Sequence, residues 1–290
     1  MSRTLAALIG VLALGATLGA SSPGAAGAGS LKHLLPPAVA RAGVIHVASD
    51  ISYAPVEFYA PGTHDVKGLD YDLAAAMGKR LGVRFDFINT TFDGIIPALL
   101  SHRFDIVFSA MNDTPEREQR IDFIDYFLAG SGVLVRKGNP EHVRSLADLC
   151  GKTADAEQGT AQVTYLKNQS KRCEAAHKGA ITVLAFATDT DALEQLKLGR
   201  SAAHVADYPV AAYDARTEGG GALFEVVGKQ FAVAAYGIGV RKEDRHLRDA
   251  LQAALKAIIA DGEYDRILTK WDLAEGALRT APISAGARFH

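Results

Sequence analysis

Apolar residues recur along this chain at two spacings, and the switches between them mark its elements. VIHVAS (44–49) and VRFDFI (83–88) alternate with period two, and FDIVFSA (104–110) is a nearly continuous apolar run; all three predict strands. Between the first two, GLDYDLAAAMGKRLG (68–82) sets Leu69, Leu73, Met77 and Leu81 four residues apart. That is one face of a helix, with Gly82 as its stop. DGIIPALLSHR (93–103) predicts a shorter helix. Strand, helix, strand, helix, strand implies a parallel sheet with helices on its faces.

A second series follows. KTADAE (152–157), ITVLAFA (181–187) and SAAHVA (201–206) read as strands, and TAQVTYLKNQ, DTDALEQLKLG and PVAAYDARTE as the helices after them. Two extended runs bracket this series: IDYFLAGSGVLVRKGNP after Phe123, and FEVVGKQFAVAAYGIGV (224–240). An amphipathic helix, RHLRDALQAALKAIIADG (245–262), then returns to the first series. The pattern predicts an α/β protein of two lobes. Residues 43–130 and 235–273 form the first, 131–234 the second, and two chain crossings make a hinge. Residues 29–42, with two prolines, read as a leader, and 274–290 as a loose tail of small and polar residues.

Composition changes this picture at one end. Arg3 is followed by an apolar stretch and then by small residues, SSPGAAGAGS, the arrangement of a secretory signal peptide over residues 1–28. The apolar stretch is shorter than the roughly 20 residues that span a bilayer, and cleavage after Ala20 or after Ala28 is equally compatible. No cysteine precedes Cys150, so no lipid-bearing cysteine is expected at the mature N-terminus. In an exported chain the pair Cys150 and Cys173 reads as a disulfide, worth about 3 kcal/mol by loop entropy.

Other function classes drop out. A net charge of −2 with no basic run argues against nucleic acid. The nine histidines are scattered and none has metal-ligand spacing, so neither metal nor cofactor is expected.

The candidate chemistry lies where predicted strands end, because open parallel sheets bind ligands beyond the carboxyl ends of their strands. After FDIVFSA comes MNDTPERE, with Thr114 as N-cap, Pro115 as first helical residue and Arg117 in the first turn. A cation there opposes the helix dipole, unless a bound carboxylate sits at the helix start for Arg117 to grip. After SAAHVA, the opposite lobe offers Asp207, which can accept an ammonium. A carboxylate at one end and an ammonium at the other describe an α-amino acid. The turn EQGTAQ (157–162) adds Thr160 and backbone N–H groups to the carboxylate side. Tyr53 and Phe92, in loops after strands, can flank the aliphatic part of a ligand or pack in the core. An ion pair of Arg117 with Asp113 and a simple N-cap role for Asp207 are the alternatives.

These same stretches, SDISYAPVEFY, GLDYDLAAAMGKRLG, FDGIIPALLSHRFDIVFSAMNDTPERE, AEQGTAQ, ADYPVAAY and YGIGV, resemble the family 3 solute-binding proteins of ABC importers over residues 43–273. The resemblance implies a type II periplasmic-binding-protein fold and a monomer that carries a free amino acid to a membrane permease. It places Arg117 on the ligand α-carboxylate, Asp207 on the α-ammonium, and Thr160 with the amide of Ala161 on the carboxylate from the second lobe. Ala110 and Asn112 stand near the ammonium, with Asn112 replacing the family's usual Ser or Thr. Asp50 and Glu157 would face the ligand side chain, favouring a cationic one over a polar neutral one. Some proteins resembling this family are secreted cyclohexadienyl or arogenate dehydratases, in which Glu157 would donate a proton; a ligand-binding sensor module is the other alternative.

Overall fold

The computed structural model describes residues 30–288; the signal-peptide reading falls outside them. In chain order the elements are α1 (Pro37–Ala42), β1 (Val44–Ser49), β2 (Ser52–Tyr53), β3 (Glu57–Tyr59), β4 (Val66–Lys67), α2 (Leu69–Leu81), β5 (Arg84–Asn89), α3 (Ile95–Leu100), β6 (Ile106–Val107) and α4 (Pro115–Glu118). Then come β7 (Ile121–Arg136), β8 (Thr153–Glu157), α5 (Ala161–Ala175), β9 (Thr182–Phe186), α6 (Asp189–Lys197), β10 (Ala203–Asp207), α7 (Tyr208–Thr217), β11 (Phe224–Arg241), α8 (Arg245–Ala260) and α9 (Glu263–Lys270).

The mixed α/β architecture places eight strands in one sheet, in the order β5-β1-β6-β11-β7-β10-β8-β9. Outer strands pair in parallel: β1 with β5 and β6, and β8 with β9 and β10. At the centre, β7 and β11 run antiparallel over 16 and 18 residues. β6 joins β11 near Gly239, and β10 joins β7 from Ser131 to Leu134. The β7–β11 ladder is regular over Phe224–Val227 and over Gly237–Arg241, but its register shifts between Val227 and Phe231, again before Ala234, and once more between Tyr236 and Gly237. The segment spanning the first two shifts carries Gly228 and Ala232 at positive φ.

Apolar periodicity accounts for the packing. The predicted stripe of α2 is fully buried at Leu69, Leu73, Met77 and Leu81. It packs with Leu247, Leu251, Leu255 and Ile258 of α8, spaced as one helical face should be. Each such side chain contributes about 1.5–3 kcal/mol when taken out of water. On the far side of the sheet's midline, Val133, Val135, Leu166, Ile181 and Val205 form a second core. Cys150 and Cys173 are bonded, with Cα atoms 5.3 Å apart, tying the turn before β8 to α5.

Two expectations need correction. Residues 30–42 are no featureless leader: a 3₁₀ turn (Leu31–Leu34) and α1 precede β1, with Leu35 buried against the first core. The tail is not loose within the described residues. Ala277 bridges Phe127, Ile283 bridges Ile124, and Ala281 and Ala285 are buried. Small side chains let this segment lie close to β7, where backbone groups rather than a hydrophobic stripe hold it.

Candidate functional site

The loops after β1, β6, β8 and β10 meet around a narrow, partly enclosed cavity. Asp50, Tyr53, Phe92, Ala110, Asn112, Glu157, Thr160 and Asp207, all named from the sequence, line it, together with Glu57 and Gln162. Thr114, Arg117 and Ala161 line the groove that adjoins it, which Phe92 and Thr160 share.

The cationic side is built by the loop after β6. Ala110 holds a positive φ of 38°, an uncommon setting for a side chain bearing Cβ, and its amide donates to Asp70 at 3.0 Å. Asn112 follows, its backbone bridged to Tyr236 of β11. Thr114 caps α4 by accepting from the Arg117 amide at 3.3 Å. α4 has only four residues, and this amide is already used, so the expected anion site at its helix start is not present as such. The guanidinium of Arg117 carries the charge instead. It lies 5.3 Å from the Phe92 ring centre and donates to the carbonyls of Asn112 (2.8 Å) and Gly159 (3.1 Å). The alternative partner, Asp113, points elsewhere, to the amide of Gly286. Burial lowers the Arg117 pKa to about 10, which leaves it charged near neutrality.

The loop after β8 faces it. Gly159, at φ +82°, passes so close to Asp93 that a Cβ would sit 2.8 Å from the Asp93 Cα. The Thr160 hydroxyl donates to the carbonyl of Glu157 at 2.7 Å. That bond lies inside the turn, while Thr160 itself lines both the cavity and the groove. No side chain caps α5, so the N–H groups of its first turn, beginning at Ala161, have no side-chain acceptor.

Carboxyls dominate the rest of the wall. Asp207 accepts from Gln162 Nε2 (2.7 Å) and Tyr236 OH (2.8 Å), and its amide donates to Tyr53 OH (2.8 Å). Its side chain does not cap α7; it is held toward the cavity. Burial pushes its pKa up to about 7 against the pull of the Tyr236 and Tyr53 hydroxyls and of Arg117. Asp50 accepts from Ser52 (2.6 Å) and from the Phe92 amide (3.1 Å). Its carboxyl also meets that of Glu157, and burial followed by this contact raises Glu157 well above the usual range. Two buried carboxyls side by side disfavour joint ionisation, which favours a proton shared between them. Glu157 Oε1 has no hydrogen-bond partner among the described residues.

Three contributors were not read from the sequence. Glu57 of β3 accepts from Ser109 at 3.0 Å and is driven up by burial and by Asp70. Gln162 and Tyr236 orient Asp207. Only the polar residue in the first turn of α5 and the phenol within an apolar strand hinted at them, since each acts through residues far away in the chain.

Residues 45–274 match the family described as bacterial extracellular solute-binding proteins, family 3. An arginine-binding protein of Corynebacterium glutamicum is 32% identical over 256 residues, 88% of this chain and 82% of the relative. An ABC transporter arginine-binding protein of Escherichia coli is 30% identical over 78% of this chain and 90% of its own length. Among solved structures, an ancestral arginine-binding protein bound to arginine superposes with a TM-score of 0.72 at 36% identity, covering 79% of this chain and 98% of that one. An ancestral amino acid-binding protein, described as a precursor of cyclohexadienyl dehydratase, gives 0.72 at 34% identity over 81% and 97%.

Proposed function

This chain belongs to the bacterial extracellular solute-binding proteins of family 3, and on that premise we propose that it captures an L-amino acid with a cationic side chain and delivers it to an ABC permease. The observation that carries the reading is that Asp50 and Glu157 line the cavity together with two buried carboxyls. A guanidinium or ammonium arriving there replaces a proton shared by Asp50 and Glu157, so both ionise against the ligand charge. The relatives whose names specify arginine support the same class of ligand.

The remaining contacts follow from the geometry. The α-carboxylate meets Arg117 and the first-turn amides of α5; the α-ammonium meets Asp207, already oriented by Gln162 and Tyr236. Residues 43–130 with 235–273, and residues 131–234, are the two bodies that close on it. Ligand that touches both favours the closed form, and a permease reads that form. We place the protein outside the membrane as a monomer; among the described residues no helix is long and apolar enough to cross one.

A melting-temperature screen with arginine, lysine, ornithine, histidine and glutamine tests this. Ligand at about 100 times its Kd adds roughly 2.7 kcal/mol of stability, so the right amino acid gives a large upward shift. Arg117→Ala should remove that shift while the unliganded melt stays close to wild type. A shift given only by neutral amino acids would overturn the cationic reading. Turnover of prephenate or arogenate with no amino-acid shift would favour the dehydratase, for which the support is a buried Glu157 whose pKa burial and Asp50 raise well above the usual range.

A further inference from the structure

The family match ends at residue 274, yet the chain continues as an ordered strap along β7. The Leu278 amide donates to Tyr264 OH at 2.9 Å, and Gln252 of α8 donates to the Ala281 carbonyl at 2.7 Å. The Asp125 amide donates to the Pro282 carbonyl, and the Ser284 amide to the Phe123 carbonyl, both at 3.0 Å. The end of the strap reaches the loop that carries Asn112 and Arg117. There the Ala285 amide donates to Asp125 (3.3 Å), and the Gly286 amide to Asp113 (2.9 Å) and Glu118 (3.2 Å).

Asp113 and Asp125 are fully buried. A buried carboxyl needs donors, and leaving it without them is costly. The strap supplies backbone N–H groups to both. The fit is close: a Cβ on Gly286 would lie 2.1 Å from the Asp113 carbonyl oxygen. Asp113 stands between Asn112, which lines the cavity, and Thr114, which caps the turn bearing Arg117. From the other side, the Asp113 amide donates to the Ala235 carbonyl of β11 at 2.8 Å. The loop is thus pinned between β11 and the strap.

We propose that residues 277–288 are a positioning element of the amino-acid site: the strap holds the 112–118 loop, through Asp113, in the geometry that aims Arg117 at the ligand carboxylate. This rests on the reading of Arg117 given above. The Asp113 and Asp125 carboxyls share a proton, since burial and each other's charge raise the first to about 8 and burial raises the second to about 6. Asn, the isostere of a protonated Asp, therefore suits position 113.

The test uses full-length protein and four variants: Gly286→Val, a chain ending at Leu278, Asp113→Ala and Asp113→Asn. Amide hydrogen exchange is measured without ligand, and the Kd for arginine (or the amino acid the screen selects) by calorimetry. The first three should speed exchange at 112–118 while leaving α5 to α7 unchanged, and raise Kd about tenfold or more through lost preorganisation. Asp113→Asn should keep both within about threefold of wild type, a rescue that preorganisation predicts. Unchanged exchange at 112–118 in Gly286→Val, or faster exchange with unchanged Kd, overturns the proposal. Exchange is read without ligand, so wild-type protein that binds no amino acid would count against the function while the strap's hold on the loop is still decided.

Discussion

Charge at single residues sets what this cavity accepts. Burial and the neighbouring Asp50 raise Glu157 well above its usual range, and burial raises Asp207 to about 7. A cationic ligand must displace protons from these groups, so its affinity should rise as pH climbs through about 7. Calorimetry near pH 6.5 in buffers of differing ionisation enthalpy should reveal net proton release. A binding enthalpy independent of buffer would contradict this. Replacing the pair tests the same point: Asp50→Asn with Glu157→Gln should weaken arginine by about 100-fold or more, given the roughly 1.5–3 kcal/mol of each hydrogen bond to a charged group, and glutamine far less. Equal losses for both ligands would mean that the pair serves the fold and not the side chain. Several of these residues were legible in the sequence because the strand ends announce them. Glu57, Gln162 and Tyr236 were not, since only the folded chain brings them beside Ser109 and Asp207. The Thr160 hydroxyl's bond to the Glu157 carbonyl was not legible either. A turn's internal hydrogen bonds compete for the same donors as a ligand does, and sequence does not say which acceptor wins.

At the scale of elements, β8, β10 and α6 are joined by one buried histidine. His204 Nδ1 is 2.6 Å from Asp155, and its Nε2 is 3.2 Å from Asp189 at the start of α6. The two carboxylates outweigh burial and hold His204 well above its ordinary pKa. A raised pKa gives stability that is complete below about 6.5 and lost as pH rises through the folded value. Breaking such a pair by His204→Leu should cost about 3 kcal/mol or more, read as a lower urea midpoint with an unchanged m value. A midpoint within error of wild type would show the triad to be dispensable. The helices and parallel strands were predictable because spacing alone reveals a buried face. The hairpin strands β2 to β4 are two or three residues long, too short for any period to register. The segment after α9 was misjudged because backbone amides and alanine contacts leave no mark in composition.

For the whole molecule, raised acids outnumber lowered ones near neutrality. Asp70 and Asp207 sit near 7, and Asp113 and Asp214 near 8, all raised chiefly by burial. Each stabilises the fold fully below about 4 and loses that contribution as pH climbs through its folded value. Asp122 and Asp261, lowered by Lys242, Arg248 and Arg80, act only at the acidic end. The unliganded melting temperature should therefore fall between pH 5 and about pH 8.5, while the upward shift given by ligand grows over the same range. Parallel melts with and without arginine check both slopes, and a flat unliganded curve would contradict the buried-acid account.

The two crossings lie side by side in one sheet, and their ladder loosens most around residues 228–233, with one further register shift between Tyr236 and Gly237. A paired ribbon resists twisting and sideways slip yet bends readily where its rungs are missing. If the two halves close on a ligand as proposed, their motion is channelled into a single swing, like a door on one pin. Any membrane partner then meets two outlines, ajar or shut, and a carrier without cargo is told from a loaded one by shape alone.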